Sequence, residues 1–573
     1  MKFTAVLVTF LLINCTLIFV NSEYRSEYSS VSDEDDDIPN IIEYESSSEE
    51  SSENVHVNIP ALGKVIGTLE NTLWTQQSYM SFLGIPYAES PSGDLRFKPS
   101  VAKLPWSEPW DATKFGKRCP VMTSIRNMLP AELKQDLEDC LNLCVYTKSL
   151  SKLQPVMFYI HGGGFTNGSN MDHPPKYLLE KDIVLVVPNY RIGALGWLSD
   201  LSENLPGNLP ILDILLALEW VQDHIKYFGG DPAKITLCGQ NAGAALTGAL
   251  MLSPKTPKDI LKGVIMQSGS ILAEWAINHT PKKQTARIFT DLKCKYKDRY
   301  KCLKKVSVVE LVKATEKKYF SPVVGDFFGV LPEQPIDLFK NFTRSYPIMT
   351  GFTRDDGSFV LTDYYDELKK KENISAITVR KFAQGIMQWS KEITGVSRNL
   401  LMRTLFKENQ LESTDHKGAT AAYFDLASIL FFKSPIIAHS SDLVRNIDGN
   451  LYMYSFNYEG EYTRFGYDLG NEHYPFNGGV HHSNDNIYLF STHNLNDDDT
   501  EIAKNMVNIW TSFAISGVPR TPSGIVLRPM QKPEGPYFLI NTDITIGDNV
   551  LEELTSAIDN PDANKLVRPD INF

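Results

Sequence analysis

The chain is short of cysteine, carries an excess of acid over base, and has no long apolar run beyond its first twenty residues. Seven cysteines in 573 residues are too few to replace a hydrophobic core, so bridges can only clasp local loops. Cys119 and Cys140 enclose 20 residues and Cys294 and Cys302 enclose seven, which suits two local bridges; Cys144 and Cys238 are left over. No segment after Val20 is long and apolar enough to span a bilayer, so no membrane span is expected in the mature chain. The formal net charge of −13 argues against nucleic acid as a partner, because phosphate binding needs the opposite sign. No metal ion and no cofactor are expected.

The chain is 42% hydrophobic and 11% aromatic, ample for a large core. Residues 1–22 have the form of a secretory signal peptide: Lys2, an apolar run from Phe3 to Val20, then the small-residue site Val20-Asn21-Ser22. An uncleaved anchor is the alternative, but Asn14, Cys15 and Thr16 interrupt the run and acids follow it. Residues 23–54 hold twelve acids against Arg25 alone. Such a Ser-rich acidic stretch cannot bury enough surface to offset its ordering entropy, so a disordered tail is expected. Tyr24, Tyr28 and Tyr44 sit among acids as sulfated tyrosines do, and Ser47, Ser48 and Ser51 precede acids as secreted-kinase sites do; a plain solubilising tail explains the stretch equally well. These features point to a secreted, extracellular protein with one folded domain over residues 55–573.

Within that domain, Val55, Val57 and Ile59 alternate before Gly63-Lys64-Val65-Ile66-Gly67, which predicts an edge hairpin. From residue 141 apolar strands alternate with helices. Strands are predicted at Leu141–Tyr146, Pro155–Ile160, Ile183–Val187, Ile235–Cys238, Gly263–Gln267 and Pro347–Gly351, with a helix over Ile211–Phe228. This order predicts an α/β fold with a large, mostly parallel central sheet flanked by helices.

Gly239-Gln240-Asn241-Ala242-Gly243 follows a predicted strand and has the form of a G-x-S-x-G nucleophile elbow in which asparagine replaces serine. The central residue of such an elbow sits at positive φ, where Asn is enriched, but an amide has no nucleophilic oxygen to offer. A chance strand-to-helix turn is the bland alternative. His161-Gly162-Gly163-Gly164-Phe165 also follows a strand. Its bare amides at Gly163 and Gly164, with that of Ala242, make a three-donor oxyanion hole; a flexible glycine loop is the alternative. Downstream, Asp356 offers an acid and His482 a base, in the chain order of α/β-hydrolases. Singly, each reads as a loop acid and a surface histidine. His481 competes with His482, and the spacing to Asp485 favours His482.

Taken together, these residues resemble the type B carboxylesterase and cholinesterase family, and within it the non-catalytic extracellular proteins of the glutactin and neurotactin type. Further matching stretches are Glu138-Asp139-Cys140-Leu141, Asn189–Gly196, Phe228–Pro232 and Gln267-Ser268-Gly269-Ser270 with Trp275. The resemblance covers essentially all of 55–573. It implies an α/β-hydrolase fold with eight or more strands and a deep pocket above the sheet's C-terminal edge. Carried over, the nucleophile position falls on Asn241, the acid on Asp356 and the base on His482. The family's disulfides pair Cys119 with Cys140 and Cys294 with Cys302. In its strand order two strands separate Cys144 from Cys238, about 14 Å at ~4.8 Å per strand, beyond the ~7 Å bridging limit. Two buried free thiols follow. The family's G-N-x-G-L-x-D-Q stretch reads Gly207–Ile214 here, with Pro210 and Ile214 replacing a glycine and a glutamine, a hint that the pocket has drifted. No tryptophan lies between Cys119 and Cys140, so the aromatic seat for choline esters is missing.

Four glycosylation sequons occur, at Asn167, Asn278, Asn341 and Asn373, with Asn167 expected to be enclosed beside the oxyanion loop. The functional expectation is a secreted pseudoenzyme that binds an extracellular protein or matrix partner. A binder of small lipophilic esters or carboxylates is the second reading, since ground-state binding needs no nucleophile. Residual ester hydrolysis, by water on His482 or by conversion of Asn241 to aspartate, is the third.

Overall fold

The computed structural model describes residues 54–573 except 344, 391–394, 447–448 and 467–472. The expected leader at 1–22 and the tail at 23–54 lie outside the described residues, save Asn54, which opens the first strand.

The strands of the N-terminal part are β1 (Asn54–Ile59), β2 (Gly63–Asn71), β3 (Ser78–Pro86), β4 (Trp110–Asp111) and β5 (Asn142–Thr147). The middle part supplies β6 (Gln154–Ile160), β7 (Val184–Pro188), β8 (Ser199–Ser202), β9 (Leu205–Pro206), β10 (Gly230–Gln240) and β11 (Gly263–Gln267). Then follow β12 (Ile348–Thr353), β13 (Leu451–Phe456), β14 (Tyr537–Ile540) and β15 (Ile544–Gly547). Thirteen of these form one sheet in the order β1-β2-β3-β5-β7-β6-β10-β11-β12-β13-β14-β15, with β4 beside β2. From β7 to β14 every pairing is parallel, while the flanks are antiparallel save the short β4, which runs parallel to β2. The fold is therefore the expected α/β arrangement with a mostly parallel sheet.

Why these segments are strands is visible in how they are buried. Along β6, Val156, Phe158 and Ile160 face one core, and Met157 and Tyr159 face the other. A parallel strand covered on both faces has no polar side to show, which is why β6, β7 and β11 read as apolar runs. Helix Ala242–Leu252 packs in the first core, and helix Asp497–Ser516, through Trp510 and Phe513, packs in the second. The stretches that carried the family resemblance close buried ion pairs: Arg96 with Glu138, and Arg191 with Asp213 at 2.6 Å. Pro210 lies in the first turn of helix Leu209–His224, where a missing N–H costs nothing. Its ring fills the space where a Cβ on Gly196 would sit, and Ile214 is fully buried in the core. Both replacements are thus accounted for by helix start and core packing.

The expectation that no segment after Val20 is long and apolar enough to span a bilayer is corrected here. By length and composition alone, the continuous helix Thr420–Arg445 is apolar enough to cross a membrane. Its apolar window is 78% buried inside the protein. Asp425 and Lys433, both fully buried, lie 3.8 Å apart within it. In the sequence these two charges break up the apolar run; in the fold they pair, and the helix behaves as a core element.

Candidate active site

β10 ends at Gln240, and the chain turns at Asn241 directly into helix Ala242–Leu252. The glycines are required by close approach. A Cβ on Gly243 would lie 2.0 Å from the Ile160 carbonyl oxygen, and one on Gly239 2.3 Å from that of Gly243. Asn241 has φ 56° and ψ −121°. The positive φ is as expected, but that ψ lies outside the left-handed helical basin where Asn is favoured. The residue's own preference therefore does not hold the turn, and strain on the order of 1–3 kcal/mol is borne by the surroundings. The Asn241 N–H donates to the Gln267 carbonyl at 2.9 Å, and the Asn241 carbonyl accepts from the Ala245 N–H at 3.1 Å.

The glycine loop after β6 faces this turn. Gly163 and Gly164 have φ of 106° and 57°. The Phe165 carbonyl anchors the loop by accepting from Gly193 N–H at 2.8 Å and Trp197 Nε1 at 3.1 Å. His161 stacks on Tyr190 at 4.3 Å, and burial lowers its pKa to about 4, so it stays neutral. The Gly164 N–H donates to Asn241 Oδ1 at 3.0 Å. One of the three amides expected to form the oxyanion hole is therefore held by the elbow's own side chain.

The acid and base positions converge on the same place. Asp356, fully buried beyond the end of β12, meets His482 Nδ1 through Oδ1 at 2.5 Å, and its Oδ2 accepts from Thr353 N–H at 3.2 Å. His481 goes elsewhere: its Nδ1 meets Ser358 Oγ at 2.6 Å, and burial with the neighbouring His482 holds its pKa well below the imidazole range. Asp485 accepts from Gln267 Nε2 and Tyr454 OH, each at 2.9 Å, so it braces the sheet edge while Asp356 orients the imidazole. Burial raises its pKa.

Gln240 escaped the sequence reading. It is buried, and its Nε2 reaches His482 Nε2 at 3.0 Å and Ser483 Oγ at 2.5 Å. With the imidazole proton on Nδ1 facing Asp356, the Nε2 lone pair accepts from the Gln240 amide. That lone pair is the one a general base needs. Position inside the elbow was the available signal, but the partner lies 242 residues away. Aromatic rings close the remaining side: Phe432 and Phe359 lie 4.8 and 5.0 Å from the His482 ring, and Trp275 bridges Phe432 to Phe165 at 5.9 Å each.

The residues most specific to an esterase are now in one site, and the family comparison agrees. A profile described as the carboxylesterase family matches residues 52–557. The chain belongs to the carboxylesterase family. Glutactin of Drosophila melanogaster is 28% identical over 499 residues, 82% of this chain and 48% of glutactin, so the chain spans about half of that protein. A juvenile hormone esterase of Tribolium castaneum is 30% identical over 514 residues, covering 82% and 86% of the two chains. Esterase FE4 of Myzus persicae is 28% identical, covering 83% and 87%. The carboxylesterase family implies the α/β-hydrolase fold, which the sheet order and flanking helices match.

The family's disulfides are present, Cys119–Cys140 and Cys294–Cys302, with Cα separations of 5.0 and 5.6 Å. Cys144 on β5 and Cys238 on β10 are buried free thiols with β7 and β6 between them, and burial pushes the Cys144 pKa up to about 12. Of the sequon asparagines, Asn341 and Asn373 are exposed, and Asn278 is half-buried with its Nδ2 on Gln284 Oε1 at 2.8 Å. Asn167, expected to be enclosed, is exposed, because the turn closed by its N–H on the Gly163 carbonyl at 2.9 Å carries it outward.

Proposed function

We propose that this chain is an extracellular, non-catalytic binding protein of the carboxylesterase family, engaging a protein or matrix partner. The observation that carries the reading is the state of the elbow: its amide oxygen accepts from Gly164 N–H, and Gln240 occupies the lone pair of His482 Nε2. Loss of a triad serine costs about 10⁶ in turnover, and an amide supplies no substitute for covalent attack. Direct activation of water by His482 would first have to displace Gln240. The extracellular part of the reading is supported by the leader-like residues 1–22.

The test compares the purified protein with Asn241→Ser on an activated ester. Turnover of the unaltered protein near that of a working esterase would sink the proposal; a gain confined to the variant supports it. Expression in a secretory cell line, followed by N-terminal mass analysis of the medium, checks export independently.

The half-buried rings of Phe359, 5.0 Å from the His482 ring, and of Trp275 favour a second reading, a binder of small lipophilic esters or carboxylates. Such ligands would contact the rings while competing with Asn241 Oδ1 for the Gly164 amide. A panel of lipophilic esters and acids that produces no thermal shift would dispose of it.

A further inference from the structure

Charge in this protein is segregated along the chain. Pro281–Lys318 contains thirteen Lys and Arg against four acids, while the rest of 55–573 carries a net charge of −12. The segment folds as a unit of helices Pro281–Asp291, Arg299–Lys305 and Val308–Thr315, with Cys294–Cys302 closing the loop between the first two. Its apolar side, Ile288, Phe289, Leu303 and Leu311, is buried in the main core, so the lysines have only the outer surface. Two of its four acids are already engaged, Asp291 by Lys318 at 2.9 Å and Glu316 by Arg126 at 2.7 Å. Among the described residues, the exposed Lys282, Lys293, Lys295, Lys297, Lys301 and Lys305 have no carboxylate within ion-pair distance. Arg299 stacks over Phe289, Tyr296 and Tyr300 at 4.7–5.1 Å, and Tyr296 is 85% exposed.

An acidic protein that keeps a run of unpaired lysines on one disulfide-closed unit pays self-repulsion there, and the field it sets up attracts a polyanion. Within a Debye length of ~8 Å at physiological salt, neighbouring lysines act on the same stretch of a chain. We infer that the outer surface of Pro281–Lys318 is a binding site for a linear sulfated polysaccharide. Lysine ammoniums act as point charges that tolerate varied sulfate geometry, and an extended charged surface suits a repeating polymer. The choice of polysaccharide rests on the extracellular reading above. The site itself is independent of the elbow, so its test uses neither esterase activity nor secretion.

The full-length protein is applied to immobilised heparin at ~0.15 M salt and eluted with rising NaCl. Retention is expected, and Lys293, Lys295, Lys297 and Lys301 all changed to Gln should weaken binding roughly tenfold or more, as loss of several counterion-releasing contacts does. A control set, Lys369, Lys370, Lys504 and Lys532 to Gln, should elute with the unaltered protein, and unchanged melting temperatures show that both sets fold. Failure of the unaltered protein to bind, or co-elution of the patch variant with it, overturns the proposal. So does retention that appears only when Asp33, Glu34, Asp35, Asp36 and Asp37 are neutralised, since the patch would then belong to the chain's own acidic segment.

Discussion

Restoring serine at position 241 should not by itself restore full activity, because Gln240 holds the base. In the present geometry the His482 Nε2 lone pair accepts from Gln240 Nε2 at 3.0 Å, and Gln240 is buried. A serine hydroxyl would have to take that lone pair from the amide. A buried neutral hydrogen bond contributes a net ~0.5–1.5 kcal/mol, and a tenfold rate change corresponds to ~1.36 kcal/mol. The penalty is therefore roughly 2- to 13-fold in kcat/KM, set against a ceiling of about 10⁶ for regaining a triad nucleophile. Gln240→Met removes the donor with little change in volume and frees the lone pair, while Ser483 Oγ loses a partner. The assay measures kcat/KM on an activated acyl ester for Asn241→Ser alone and for the double variant with Gln240→Met. The double variant should be faster by that factor, with its pH–rate profile still governed by one base. Equal rates in two folded proteins, or a slower double variant, would refute the argument that Gln240 competes for Nε2.

Three further outcomes follow from the same geometry. On the Asn241→Ser background, Asp356→Asn should lower kcat about 10⁴-fold by disturbing the imidazole tautomer, whereas Asp485→Asn should leave kcat within about tenfold because Asp485 bonds Gln267 and Tyr454; steady-state kinetics separates the two. Gly243→Ala drives a Cβ to 2.0 Å from the Ile160 carbonyl, an overpacking that should cost ~1–3 kcal/mol or more and appear as a lowered denaturation midpoint. Burial raises the Asp425 pKa to about 7 even beside Lys433. A carboxyl raised in the folded state contributes stability that is full below pH ~4 and is lost as pH rises through ~7. Melting temperature should therefore fall less over that window in Asp425→Asn than in the unaltered protein.

Much of this was legible in the chain because it is local. The elbow, the glycine loop and the apolar runs of β6, β7 and β11 are set by residues a few positions apart, where backbone sterics and burial on both faces leave a pattern. The edge hairpin expected from Val55, Val57, Ile59 and Gly63–Gly67 forms as β1 and β2 for the same reason. β13 shows no alternation because both of its faces are buried, Leu451 and Met453 in one core and Tyr452, Tyr454 and Phe456 in the other. Helix Thr420–Arg445 does not stand out as apolar in the sequence, because Asp425 and Lys433 interrupt the run and only the fold pairs them. The basic segment 281–318 is legible in the chain, though the net charge, dominated by residues 23–54, hides it.

The family, the parallel sheet and the identity of the residue at position 241 are matters the sequence decides alone, since each depends on residue type and short spacing. Which atoms that residue and its neighbours occupy is a tertiary outcome. Gln240 meets His482 across 242 positions, Asn241 Oδ1 meets Gly164 across 77, and His481 is turned away from its neighbour's role by Ser358. Those contacts are made only when β6, β10 and the loop before Asn484 are brought together at the end of the sheet. Sequence spacing carries no information about which lone pair is then taken, because hydrogen bonds depend on distance and direction in the folded state.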